Sequence, residues 1–263
     1  MEIYLAGRTA LITGGSAGLG LAMAQRMAAS GADVAILARR PEVIRAAVQS
    51  IQKTAKGKVV GVPCDVSKAD EISRAYAAVI AGLGKVDILV NNAGQSTAGP
   101  LSTITDEVWQ ADLDLKLFAA IRLCRLAMPG MIERRWGRVI NVLNLGAKAP
   151  KPGGAPTAVS RAAGMALTKV LAGEGAPHNV LVNGMLVGTI RSDQSVRRHA
   201  TLVAEGLNES YEDYVGRLGA NIPLGRLGKA EEFAALACFL ASEQGGYITG
   251  TAINVDGGLS PVV

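Results

Sequence analysis

The chain has 263 residues, 49% of them hydrophobic, 19% charged and 4% aromatic, with a formal net charge of +5. That apolar fraction excludes a disordered chain, and the length suits one α/β domain with a buried core. The basic pairs Arg39-Arg40, Arg134-Arg135 and Arg197-Arg198 are dispersed, so nucleic acid is not an expected partner, and Cys64, Cys124 and Cys238 form no CxxC, which leaves no readable disulfide framework or metal site and fits a reducing, cytoplasmic setting.

In chain order, the N-terminal MEIYLAGRTALITGG lacks the basic, apolar and small-residue succession of a secretion signal. No charge-free apolar run reaches the length of about 18 residues that a membrane helix needs, so no membrane contact is expected. Short β-rich runs then recur at Thr9–Thr13, Asp33–Ala38, Lys58–Val62, Val86–Val90, Arg138–Leu143, Val180–Leu186 and Thr251–Val255. Between them the pattern predicts helices at 18–30, 42–54, 68–82, 106–132, 156–175 and 230–241. Several strands are continuous apolar runs rather than alternating ones, which is what a parallel sheet covered by helices on both faces requires. The expectation is a single Rossmann-type domain, a doubly wound parallel sheet of seven strands in three αβα layers. Residues 190–228 fall outside the alternation and are read as a lid over the site.

The first strand runs directly into Gly14-Gly15-Ser16-Ala17-Gly18-Leu19-Gly20 and then into a helix. In that setting glycines let backbone N–H groups approach a pyrophosphate, and the helix N-terminus adds a partial positive charge. At the end of the second strand, where an acidic residue would accept hydrogen bonds from a ribose 2′-OH, the chain has Ala38-Arg39-Arg40. Guanidinium groups match a 2′-phosphate, so NADP(H) is expected in preference to NAD(H). Asp65 and Asn91-Asn92-Ala93-Gly94 follow the third and fourth strands, where a parallel sheet presents its ligand crevice.

TGGSAGLG at 13–20, Cys64-Asp65-Val66, NNAG at 91–94 and the tail IPLGRLGKAEEF…YITGTAINVDGG together resemble the short-chain dehydrogenase/reductase family over essentially the whole chain. The resemblance implies that Gly14, Ser16, Gly18 and Leu19 line the pyrophosphate, Asp65 and Val66 the adenine, and Asn91, Ala93 and Gly94 the adenosine ribose. It also implies an oxidoreductase acting on a small-molecule carbonyl or alcohol, assembled as a homodimer or homotetramer.

The family's Asn, Ser, Tyr and Lys do not stand at the matching positions. Lys116 is aligned with the Asn, Asn144 with the Ser, Thr157 with the Tyr and Arg161 with the Lys. Gly188 follows Val187 where Pro-Gly is usual, and Ser192 matches the Thr that faces the nicotinamide amide. Thr157 is a far weaker acid than a phenol with a pKa of about 10. Arg161 keeps a fixed charge able to grip ribose hydroxyls but does not exchange protons near neutrality. Lys116, in a partly dry site beside Arg161, is expected to have a lowered pKa and to act as the replacement acid, with a ribose clamp or a solvated lysine as its alternatives. Asn144 is then the amide donor that polarises the substrate oxygen. Lys148 and Lys151 are read as surface lysines, Tyr211 and Tyr214 as a packing stripe, and Arg197-Arg198-His199 as a solvated face. His178 and His199 have no partner at metal-ligand spacing. Two other activities stay open: a dinucleotide-binding sensor or partner subunit without turnover, and non-redox lyase or dehalogenase chemistry.

Overall fold

The computed structural model describes residues 2–263, except for the side chains of residues 193, 194 and 197. Alternation begins with strand β1 (Thr9–Thr13), helix α1 (Gly18–Ala29), β2 (Asp33–Ala38), α2 (Pro41–Gln52), β3 (Val59–Pro63), α3 (Ala69–Leu83) and β4 (Ile88–Asn91). A two-residue strand β5 (Ala98–Gly99) precedes α4 (Asp106–Leu113), a π turn over Asp114–Phe118 and α5 (Ala119–Glu133). Then come β6 (Gly137–Asn144), β7 (Ala155–Pro156), α6 (Thr157–Gly175), β8 (Val180–Val187), α7 (Asp193–Ala204), α8 (Tyr211–Gly219), α9 (Ala230–Leu240) and β9 (Ala252–Val255).

Seven strands form one parallel sheet in the order β3-β2-β1-β4-β6-β8-β9, while β5 and β7 pair as a separate antiparallel ribbon. The strands are mostly apolar because both faces are covered. In β1, Ala10 and Ile12 enter one core layer and Leu11 the other; in β2, Val34 and Ile36 oppose Ala35 and Leu37 in the same way. Each such fully buried Val, Leu or Ile contributes about 1.5–3 kcal/mol.

Strand order reverses between β1 and β4, and the crevice opens at their C-terminal ends. The two ends are fastened side by side: Asn92 donates its side-chain amide to the Thr13 carbonyl at 2.9 Å, and the Thr13 hydroxyl accepts from the backbone N–H groups of Asn92 and Ala93, both at 2.9 Å.

Two findings depart from the sequence-based expectations. The predicted helix 106–132 is interrupted by the π turn, which shifts the side chains on either side of it. β4 starts at Ile88 rather than Val86, because Asp87 serves as a buried anchor that accepts from Thr9 N and pairs with Lys85 and Arg134. Residues 190–228 carry the two helices α7 and α8, closed at the base by a bridge between Ile190 and Gly228. Among the described residues no helix is long and apolar enough to cross a membrane.

Candidate functional site

A cleft of about 450 Å³ lies at the crevice, within the usual range of roughly 300–1,000 Å³ for small-molecule sites. Its first wall is the glycine turn. Gly14 sits at φ +64°, a region L side chains rarely adopt, and a Cβ on Gly20 would strike the Gly14 carbonyl oxygen. The turn therefore folds only around glycine. Helix α1 follows with no side-chain cap at Ala17 and no acidic residue in its first turn, so its N–H groups and partial positive charge remain for an anion. Ser16, Gly18 and Leu19 line this end. These features fit a pyrophosphate cradle.

Arg39 and Arg40 line the rim beyond β2, exposed to solvent. Beside them, at the end of the adjacent strand β3, the rim carries Cys64, Asp65 and Val66. Asp65 is held by the Ser67 N–H at 3.0 Å and hydroxyl at 2.8 Å, while burial pushes the Cys64 thiol up to about 12 and keeps it protonated. Ala93 and Gly94 line the cleft, but Asn91 does not. Its side chain donates to Asn141 at 2.8 Å instead, and the neighbouring Asn92 lines the cleft.

At the inner end stand Asn144, Thr157, Arg161, Gly188 and Ser192. Arg161 donates to the Val142 carbonyl at 2.5 Å, and a Cβ on Gly94 would collide with its guanidinium. Burial draws the Arg161 guanidinium down to about 10, opposed by the charge of Asp112. Asn144 keeps its side-chain oxygen buried without a partner, and no described residue accepts from its amide.

Lys116 lies one layer deeper than the sequence-based expectation of a cleft-facing lysine. Its side chain is 1% exposed and is not part of the cleft lining. The ammonium ion-pairs with Asp112 and donates to the Thr157 hydroxyl at 2.8 Å. Thr157, which does line the cleft, also accepts from Thr97 N–H at 2.9 Å and turns its own proton to the Thr97 carbonyl at 3.2 Å. The other oxygen of Asp112 accepts from the Ser160 hydroxyl at 2.6 Å. Burial lowers the Lys116 ammonium below the usual lysine range; its hydrogen bond and ion pair with Asp112 oppose that, and Arg161 adds to it. A buried cation thus reaches the cleft through one hydroxyl. Sequence reading missed Asp112 and Ser160, although the i,i+4 spacing of Asp112 and Lys116 and the i,i+3 spacing of Thr157 and Ser160 were the signals for them.

Elsewhere, Lys148 is half-buried and donates to the Ala252 carbonyl at 2.6 Å, a correction to its reading as a surface lysine, whereas Lys151 is exposed. Tyr211 and Tyr214 pack about His199, with ring centroids 5.5 and 5.3 Å away, and join α7 to α8. The Arg197 side chain lies outside the described residues, and Arg198 is exposed. Among the described residues no group of three His, Cys, Asp or Glu side chains is placed to hold a metal.

Comparison with known proteins places this geometry. Residues 8–202 match the short chain dehydrogenase family profile. The 3-oxoacyl-[acyl-carrier-protein] reductase FabG of Aquifex aeolicus is 32% identical over 259 residues, 98% of this chain and 100% of the relative. L-Sorbose reductase from Gluconobacter frateurii, solved with NADPH and L-sorbose, superposes with a TM-score of 0.95 at 31% identity, covering 100% of both chains. A short-chain oxidoreductase of Pseudomonas aeruginosa PAO1, solved with NADPH bound and containing an atypical catalytic center, superposes with a TM-score of 0.90 at 37% identity over 99% of this chain and 100% of the other.

Proposed function

The chain belongs to the short-chain dehydrogenase/reductase family, and from that premise we propose that it is an NADP(H)-dependent oxidoreductase for a carbonyl/alcohol pair in which Lys116 supplies the proton through Thr157. The observation that carries the reading is the 2.8 Å hydrogen bond from the buried Lys116 ammonium to the cleft-lining Thr157 hydroxyl. Bound in the cleft, a dihydronicotinamide supplies the hydride that turns a carbonyl into an alcohol.

The chain's own residues divide the remaining work. Gly14, Ser16, Gly18 and Leu19 take the pyrophosphate, and Arg39 and Arg40 take a 2′-phosphate that an acidic residue would repel. Asp65, Val66, Asn92, Ala93 and Gly94 shape the adenosine end, Arg161 grips ribose hydroxyls, and Gly188 and Ser192 adjoin the nicotinamide amide. Asn144 offers its unpaired amide to the substrate oxygen, a role that needs no ionisation. A neutral threonine hydroxyl is too weak an acid to act alone, but with a cation behind it the proton moves in one concerted passage from nitrogen through oxygen to substrate. Helices α7 and α8, tied together by His199, Tyr211 and Tyr214, act as one lid. Val159 and Val170, exposed on α6, suit a homodimer or homotetramer.

Fluorescence titration with NADPH and NADH, followed by NADPH consumption over a panel of ketones, aldehydes and quinones, tests the reading. The expected result is tighter binding of NADPH and consumption that falls at least about 100-fold in Lys116→Ala. No binding of either dinucleotide contradicts it, and binding without consumption over the panel replaces it with a sensor or partner subunit.

A further inference from the structure

We propose that Asp112 is a positioning residue, whose single carboxylate holds Lys116 in its charged form and aims it at the Thr157 hydroxyl. The proposal rests on the reading of Lys116 and Thr157 given above.

Asp112 and Lys116 each have a side chain only 1% exposed. An isolated ion at such a depth is strongly disfavoured, so each depends on the other for its charge. Asp112 from α4 favours the charged form of Lys116, and Arg161 from α6 opposes it. With Asp112 removed, Lys116 would share its buried space with a second cation and no anion, and it would give up its proton. A neutral amine is a poor proton donor to a hydroxyl.

The carboxylate also orients. One oxygen takes Lys116 and lies 3.4 Å from the Thr157 hydroxyl, while the other is held by Ser160 at 2.6 Å. Ser160 and Thr157 both sit at the start of α6, so Asp112 ties that helix to the π turn carrying Lys116. Lys116 keeps one N–H on Asp112 and one on Thr157. Burial of an ion pair is by itself a weak source of stability, since apolar replacements are often as stable. The use of this pair lies instead in a charged donor kept next to the cleft wall.

With a bound dihydronicotinamide to supply the hydride, the Thr157 hydroxyl would turn from the Thr97 carbonyl to the substrate, and its O–H bond would break as the proton passes to the carbonyl oxygen. Thr157 Oγ takes a proton from Lys116 in the same motion. Lys116, left neutral beside Asp112, would regain a proton taken up from bulk solvent and relayed through the same hydroxyl. One hydride and one proton are added to the carbonyl, and an alcohol results.

The test follows the side-chain resonance of Lys116 in lysine-labelled protein by NMR as pH is raised, the signal being identified by its absence in Lys116→Met. In Asp112→Asn, Lys116 is expected to lose its proton about 1–3 pH units lower than in the native protein. The alkaline fall of kcat/KM with a carbonyl substrate is expected to move down with it. In a Lys116→Met background, adding Asp112→Asn is expected to lower turnover no further. A Lys116 titration unmoved in a folded Asp112→Asn protein overturns the proposal, as does an equal loss of turnover in both backgrounds. If Asp112→Asn does not fold, Asp112→Glu decides: a near-native Lys116 titration with kcat lowered and KM kept supports positioning, and native kcat overturns it. The titration needs no substrate, so a moved titration in a protein that reduces no carbonyl upholds the role of Asp112 while refuting the oxidoreductase reading.

Discussion

Replacing Thr157 by valine keeps the shape of the side chain and removes only its hydroxyl. That hydroxyl accepts from Lys116 at 2.8 Å and from Thr97 N–H at 2.9 Å, and Lys116 retains Asp112 when it is lost. The stability cost is therefore the desolvation of the donors left unpaired, about 1–3 kcal/mol, readable as a lower urea midpoint with an unchanged slope. The kinetic cost is larger. Proton transfer from a positioned group contributes about 10²–10⁴-fold, so kcat for carbonyl reduction should fall by at least about 100-fold in Thr157→Val. Serine keeps the oxygen, and Thr157→Ser should retain most of the rate. NADPH affinity should change little in either variant, because the proposed phosphate cradle is the glycine turn after β1 and not the start of α6. A Thr157→Val enzyme that keeps more than roughly a tenth of native kcat would refute the passage of the proton through this hydroxyl.

Gly20→Ala places a methyl group on the Gly14 carbonyl oxygen, which the strand before it fixes; overpacking of about 1–3 kcal/mol should open the turn and weaken NADPH binding at least tenfold by fluorescence titration. Arg39→Ala with Arg40→Ala removes the exposed cations at the rim, so NADPH affinity should drop by about tenfold while NADH affinity stays within about twofold, the gap narrowing in high salt. Burial lowers the ammonium of Lys116, which in the proposed passage has to be protonated to feed Thr157. Reduction should accordingly be fast at pH below the folded-state pKa of Lys116 and fall as pH rises through it, at a pH below the usual lysine range; alcohol oxidation should show the opposite limb, and a flat profile would contradict the assignment.

The strands next to the glycine turn were the most legible part of the chain. Thr9–Thr13 and Asp33–Ala38 coincide with β1 and β2 because unbroken apolar runs bounded by glycine or charge leave few alternative registers. The glycine turn was readable for the same local reason, since strand, turn and helix are contiguous. Other features depended on tertiary context. The π turn at Asp114–Phe118 shifts a hydrogen-bond pattern without leaving a compositional mark, and the β5–β7 ribbon joins two-residue segments far apart in sequence. Asp112 and Lys116 at i,i+4 look like an ordinary pair on a wet helix face, and only the packing of α6 over that face turns them into a buried site. Arg138, a charge inside a predicted core strand, is accommodated by stacking on Trp136 and by the carbonyls of Gly137, Asn179 and Ser242, the last two of which its own segment does not reveal.

The central claim is that this cleft moves a hydride from a nicotinamide to a carbonyl, with the proton supplied from Lys116 through Thr157. The most direct measurement supplies NADPH deuterated at the transferable C4 position together with a reducible carbonyl compound, and analyses the alcohol by mass spectrometry in parallel with Lys116→Met. The account predicts that deuterium appears on the carbinol carbon of the native product and that the yield collapses in the variant. Bound NADPH that keeps its label, or a labelled alcohol formed equally well without Lys116, would contradict it.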